Sequence, residues 1–143
     1  MINKIDHIGI AVKDLEEALI LYTQTLGLSV KNIEIVADQK VRTAIIPVGE
    51  SKIELLEATE PDGVIAQYIA KKGEGLHHIA LAVDNIEQTL AALNQAGLPL
   101  IDKIPRRGVE NTRIAFIHPK ATKILLELVE SSERRKVNGN QIL

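Results

Sequence analysis

The apolar positions change period along the chain, and they do so twice in the same way. From Asp6 to Glu16 the sequence reads Asp-His-Ile-Gly-Ile-Ala-Val-Lys-Asp-Leu-Glu, alternating through Ile8, Ile10 and Val12 as a half-buried strand does. From His77 to Glu87 it reads His-His-Ile-Ala-Leu-Ala-Val-Asp-Asn-Ile-Glu, alternating through Ile79, Leu81 and Val83. The two segments align at a constant offset of 71 residues, which sets His7 on His78. Each then switches to helical spacing, through Leu15, Ala18, Leu19 and Tyr22 in the first copy and Ile86, Leu90 and Leu93 in the second. Asp14 and Asp84 stand where N-caps are expected, and Gly27 and Gly97 where left-handed helix ends are least costly.

After each helix the pattern returns to short extended runs. In the first copy these are Ser29–Val36, Val41–Val48 and Lys52–Ala58; in the second they are Leu98–Ile104, Thr112–Ile117 and Lys123–Val129. Pro47-Val48-Gly49, Pro105-Arg106-Arg107-Gly108 and His118-Pro119 punctuate them. Each copy therefore reads β-α-β-β-β. The fold expected is α+β: two tandem βαβββ modules forming a curved eight-stranded sheet with a concave metal-binding cleft. Residues 1–131 make a single domain, with module one at about 4–60, a linker helix at 62–72 and module two at about 75–131. The tail, 132–143, is polar and aperiodic and is expected to fray.

Alternation within the strands also places the polar residues. If Ile8, Ile10 and Val12 pack on a helix, then His7, Gly9 and Ala11 face the other way, as do His78, Ala80 and Ala82 in the second copy. Small residues beside each histidine leave space. The last strands of the copies, Lys52–Glu57 and Leu125–Glu130, place Glu54 and Glu127 on that same open face. A single histidine at a strand start is ordinarily a satisfied core or surface residue, and a single glutamate in an apolar strand an edge residue. Repetition of both types at equivalent places favours a shared site. Two imidazoles and two carboxylates suit one divalent ion of the Co, Zn, Ni or Mn kind, with open positions for water or substrate. Register selects His78 over its neighbour His77.

Composition removes the main competitors. The 143 residues contain no Cys and no Trp, and 17 Lys+Arg stand against 19 Asp+Glu. Disulfides, cysteine nucleophiles and Cys-ligated metals are excluded. A net charge of −2 with 2% aromatic residues offers neither an electrostatic pull on nucleic acid nor a stacking platform. No apolar run approaches the ~20 residues of a membrane span, and the N-terminus lacks a signal-peptide core. A cytoplasmic globular protein is expected.

Four segments carry a resemblance: Asp6–Val12, Gly73-Glu74-Gly75-Leu76-His77-His78-Ile79-Ala80, Phe116-Ile117-His118-Pro119-Lys120 and Leu125–Leu128. With them the chain resembles the vicinal oxygen chelate (glyoxalase/bleomycin-resistance) superfamily from Asp6 to about Glu130, and within it the methylmalonyl-CoA epimerases. The resemblance implies a divalent metal on His7, Glu54, His78 and Glu127, with Glu54 where well-known members carry Gln. It implies interconversion of (2R)- and (2S)-methylmalonyl-CoA through a metal-stabilised enediolate, with Glu127 as one proton carrier. Some epimerases place the opposing glutamate on the third strand, where this chain has Thr43. A hydroxyl is a poor base, which leaves a bound water, Glu54 or a different reaction. Arg106 and Arg107 are candidates for CoA phosphates, and Gln39, Thr43, His118 and Lys120 for substrate contact. Dimers predominate in the family, so a homodimer is expected. The alternatives are a glyoxalase I-like lactoylglutathione lyase and a non-catalytic small-molecule-binding protein of the resistance type.

Overall fold

The computed structural model describes residues 1–132, so the expectation for the tail falls outside the described residues from position 133 onward. By its internal contacts the chain divides into two units. The first half is His7–His77, and the second half is Met1–Asp6 together with the chain from His78. Both are α+β, and each repeats the same strand order.

The first half contains β1 (Ile2–Ala11) from His7 on, α1 (Leu15–Ile20), β2 (Asn32–Val36), β3 (Val41–Val48), β4 (Ser51–Ala58) and α2 (Val64–Lys72). Its strands run β2-β3-β4-β1, with β1 parallel to β4 and the other pairs antiparallel. A parallel pair cannot be closed by a hairpin, so the chain must cross one face of the sheet, and α1 lies in that crossover. Asp14 accepts the Glu17 N–H as the N-cap, as its position implies. Beyond Ile20 the helix widens into a π-turn over Leu21–Thr25, a feature no periodicity signalled, and the chain then turns through Gly27 at φ +74°. The core beneath it joins Val12, Leu15, Ala44, Ile46 and Leu55, with Ala18, Leu19 and Tyr22 packed on its edge. Leu15 is wholly buried, a burial worth about 1.5–3 kcal/mol.

The second half contains β5 (Gly75–Val83), α3 (Ile86–Gln95), β6 (Arg106–Arg107), β7 (Arg113–Ile117), α4 (Pro119–Thr122) and β8 (Leu126–Glu130). Its order β5-β8-β7-β6 matches the first half, again with one parallel pair, β5 with β8. Val83, Ile86, Leu90, Ala115, Ile117 and Leu128 form the corresponding core. No helix among the described residues is long and apolar enough to cross a membrane.

A second set of repeated residues ties each helix to its sheet. Glu57 accepts the Leu15 N–H at 2.7 Å, and Glu130 accepts the Ile86 N–H at 2.9 Å, so each carboxylate sits at the positive end of a helix. Arg42 bridges Glu57 at 3.1 Å and Glu16 at 2.7 Å. Arg113 likewise pairs with Glu87 and, at 3.5 Å, with Glu130. The Arg42 guanidinium donates to Glu16 and holds its carboxyl below the usual carboxylate range.

Four expectations need correction. Asp84 is not the N-cap of α3; Asn85 is, accepting the Gln88 N–H at 3.0 Å, while Asp84 accepts from the Asn3 side chain. Ile8 does not pack under α1 but is 36% exposed. The ten residues of β1 extend about 33 Å, and a helix of two or three turns covers only the end that carries Ile10 and Val12. Leu98–Ile104 is not a strand: only Leu100 bridges, to Ile117. Pro99 lacks an N–H for a ladder, and the Ile101 and Asp102 N–H groups converge on the Phe116 carbonyl. The edge strand is instead the dipeptide Arg106–Arg107, inside the Pro105–Gly108 segment expected to separate strands. The Lys123–Val129 run begins only at Leu126, because α4 occupies the turn and Lys123 ends it at φ +69°.

Candidate functional site

In the first half, β1 and β4 lie in parallel register with Gly9 opposite Glu54. His7 is two residues before Gly9, so its side chain is on the same face, and its Nδ1 lies 3.0 Å from Glu54 Oε2. In the second half β5 and β8 repeat the register with Ala80 opposite Glu127, and His78 Nε2 lies 3.6 Å from Glu127 Oε2. Opposite each carboxylate stands a residue with little or no side chain, Gly9 or Ala80, which leaves room for the imidazole to meet the glutamate. Each half thus builds one imidazole–carboxylate pair by the same means.

All four side chains are buried, with His7 and Glu54 3% exposed, His78 4% and Glu127 5%. A carboxylate removed from water is costly unless a proton, a cation or a metal compensates it. Neutral imidazole and carboxylate oxygen are the donors that borderline divalent ions take, and both are supplied in each half. The residues present therefore fit a divalent metal on the chemistry of the donor set. His78 is further steadied by Phe116, whose ring meets it edge-on at 5.7 Å.

The remaining candidates fall into different settings. Thr43 is buried on β3, 1% exposed. Gln39 ends a 3-10 turn, Ala37–Gln39, just before β3, and is half-buried. That turn is pinned by Lys40, in left-handed conformation, whose ammonium pairs with Asp62 and whose carbonyl accepts the Thr59 N–H. Arg106 is held from two sides: Asp102 lies 3.3 Å from its guanidinium, which covers the Phe116 ring at 5.3 Å. Arg107 is exposed and pairs in register with Arg113. His118 is exposed and caps α4, its Nδ1 accepting the Lys120 N–H at 3.0 Å; Lys120 is also exposed. The His-Pro-Lys segment thereby has a local structural use, a capped first turn with Pro119 at its start.

Three residues escaped sequence reasoning. Phe116 was visible only within a motif, although the offset of 71 that joins His7 to His78 sets it on Ile45. Asp102 accepts the Phe116 N–H at 2.8 Å as well as pairing with Arg106, and no pattern marks it. Glu34 lies opposite Thr43, on the face that carries Glu54, a relation fixed by strand pairing and not by spacing.

Comparison with known proteins agrees with this geometry. The family model for the glyoxalase/bleomycin resistance protein/dioxygenase superfamily matches residues 6–116. The uncharacterized protein YqjC of Bacillus subtilis is 41% identical over 129 residues, covering 90% of this chain and 92% of that protein. The mitochondrial methylmalonyl-CoA epimerase of Homo sapiens is 30% identical over 132 residues, covering 91% of this chain and 75% of that one. Among solved structures, a variant methylmalonyl-CoA epimerase of Streptomyces coelicolor in complex with 2-nitronate-propionyl-CoA is similar at a TM-score of 0.89. It is 37% identical and covers 92% of this chain and 96% of that one. With the βαβββ order repeated in both halves and a family match over most of its length, the chain belongs to the glyoxalase/bleomycin resistance protein/dioxygenase superfamily.

Proposed function

We propose that this chain is a metal-dependent epimerase that interconverts (2R)- and (2S)-methylmalonyl-CoA, with His7, Glu54, His78 and Glu127 together holding one divalent ion. The observation that carries the reading is the buried imidazole–carboxylate pair repeated on equivalent strands of both halves. The epimerase names of its relatives, and the acyl-CoA analogue in the Streptomyces coelicolor structure, supply the substrate class.

A divalent cation held by these four residues would supply positive charge against the negative charge that develops on the substrate's thioester oxygen. The protein's own groups do the rest. Glu127, buried beside the His78 imidazole, takes the α-proton from one face of the substrate carbon. Burial excludes water, so the carboxylate acts undiluted by solvent. Phe116 fixes the plane of the His78 imidazole. Arg106 and Arg107, on the edge strand, offer guanidinium groups to the CoA phosphates, with Asp102 fixing the first of them.

The test is inversion of resolved methylmalonyl-CoA by protein loaded in turn with Co, Zn, Ni and Mn. Inversion that disappears with a chelator and in His78→Ala is expected. Absence of inversion with every metal, alongside turnover of methylglyoxal and glutathione, would assign the chain to the lactoylglutathione lyase chemistry instead.

A further inference from the structure

We propose that Glu34 is the second proton carrier of this site; the inference rests on the epimerase reading above. Inverting a carbon through a planar intermediate requires one group to remove a proton from one face and another to deliver a proton to the opposite face. The resemblance puts Thr43 where some epimerases carry a glutamate on the third strand, and a hydroxyl is a poor base.

The first half places a carboxylate beside it. In the antiparallel pair β2–β3, Glu34 lies directly opposite Thr43 and Asn32 opposite Ile45. In β3–β4, Ile45 lies opposite Glu54 and Thr43 opposite Leu56. Residues directly opposite share a face, so Glu34, Thr43 and Glu54 are on one surface of this sheet. Residues so paired have Cβ atoms about 5 Å apart, which sets the Glu34 side chain next to that of Thr43.

Strand β2 is also built against the hydrophobic rule. Ile33 is 46% exposed and Ile35 61% exposed, while the carboxylate between them is half-buried. A slip of one residue would turn both isoleucines to the inner face and Glu34 to solvent. The observed register keeps the acid inside at the expense of apolar burial.

The second half shows that the scaffold does not require an acid there. At the offset of 71, Thr43 corresponds to Ile114, and the residue paired opposite Ile114 is Arg106, not an acid. Ile114 packs with Ala80, Val129 and Phe116 in an apolar cluster. The polar pair is therefore particular to the first half.

In the proposed step the Glu127 carboxylate removes the α-proton, and the C–H electron pair passes toward the thioester oxygen. Glu34, protonated, gives its proton to the opposite face as that pair returns to form the new C–H bond. Nothing is oxidised or reduced, and exchange with solvent resets the two carboxyl groups.

The experiment compares the metal-loaded parent with Glu34→Gln and Glu34→Asp in heavy water, starting from each epimer separately. The parent is expected to invert both epimers with solvent deuterium at the α-carbon. In Glu34→Gln inversion should fall by about 100-fold or more, the weight of one general acid–base group. The same variant should still exchange the α-proton of one epimer without inverting it, and Glu34→Asp should regain part of the inversion. Metal content and urea midpoint should not move. Unchanged inversion in Glu34→Gln would overturn the proposal, and so would an equal loss of exchange from both epimers. A parent that neither exchanges nor inverts would instead overturn the epimerase reading beneath it.

Discussion

The two halves share a scaffold and differ on its inner face. Both run four strands in the same order, pair a histidine with a glutamate across the parallel strands, and tether the helix with an Arg–Glu–Glu set. Beside the shared pair the first half carries Thr43 with Glu34 opposite, and the second half carries Ile114 in an apolar cluster with Phe116. The tethers differ too: the Glu57 side chain is 20% exposed and that of Glu130 only 4%. On the proposed function, the duplicated elements carry the scaffold and the metal ligands, and the divergent ones lie where substrate would be handled.

The sharpest break in the symmetry should be catalytic. Glu127→Gln is expected to lower inversion by about 100-fold or more, since an amide cannot take a proton. Glu54→Gln should cost about tenfold or less, because an amide oxygen still supplies a metal ligand. Equal losses would make the two carboxylates equivalent.

Next in size is the helix tether. Glu130→Ala removes a buried acceptor from the Ile86 N–H and from Arg113, and should cost about 2–3 kcal/mol in urea unfolding. Glu57→Ala, in a more solvated place, should cost about 1 kcal/mol. Gly108→Ala probes the second half alone. An added Cβ would lie 2.7 Å from both Ile114 Cγ2 and Thr112 Oγ1, so overpacking of about 1–2 kcal/mol is expected.

The smallest effect is electrostatic. The hydrogen bond from Arg42 depresses the folded-state pKa of Glu16 below its ordinary 4.5. Its contribution is therefore fully present above the unfolded value and is lost as pH falls through the folded one. Glu16→Gln should narrow the difference in urea midpoint between pH 6 and pH 3, and an unchanged difference would remove the pair from the account.

The duplication is what made so much legible. His7 with His78, and Glu54 with Glu127, stood out because each repeats, and the helix faces followed from Leu15 and Ile86. The same repeat, carried three residues further, would have found Glu57 and Glu130. Arg42 with Arg113 and Glu16 with Glu87 lie at the same offset of 71. Glu34 was hidden for a different reason. Its meaning depends on which β3 residue it opposes, a non-local register, and the isoleucines around it suggest the reverse orientation. The strand expected over Leu98–Ile104 failed on a local fact, a proline inside an apolar run.

The central claim is that two pairs, one from each half, make one metal site. Metal content per chain in the parent, His7→Ala and His78→Ala proteins, after loading and removal of excess ion, tests it directly. The account predicts one tightly held divalent ion in the parent and its loss in both variants. Two ions in the parent, with one retained in each variant, would show that the pairs act separately and would contradict it.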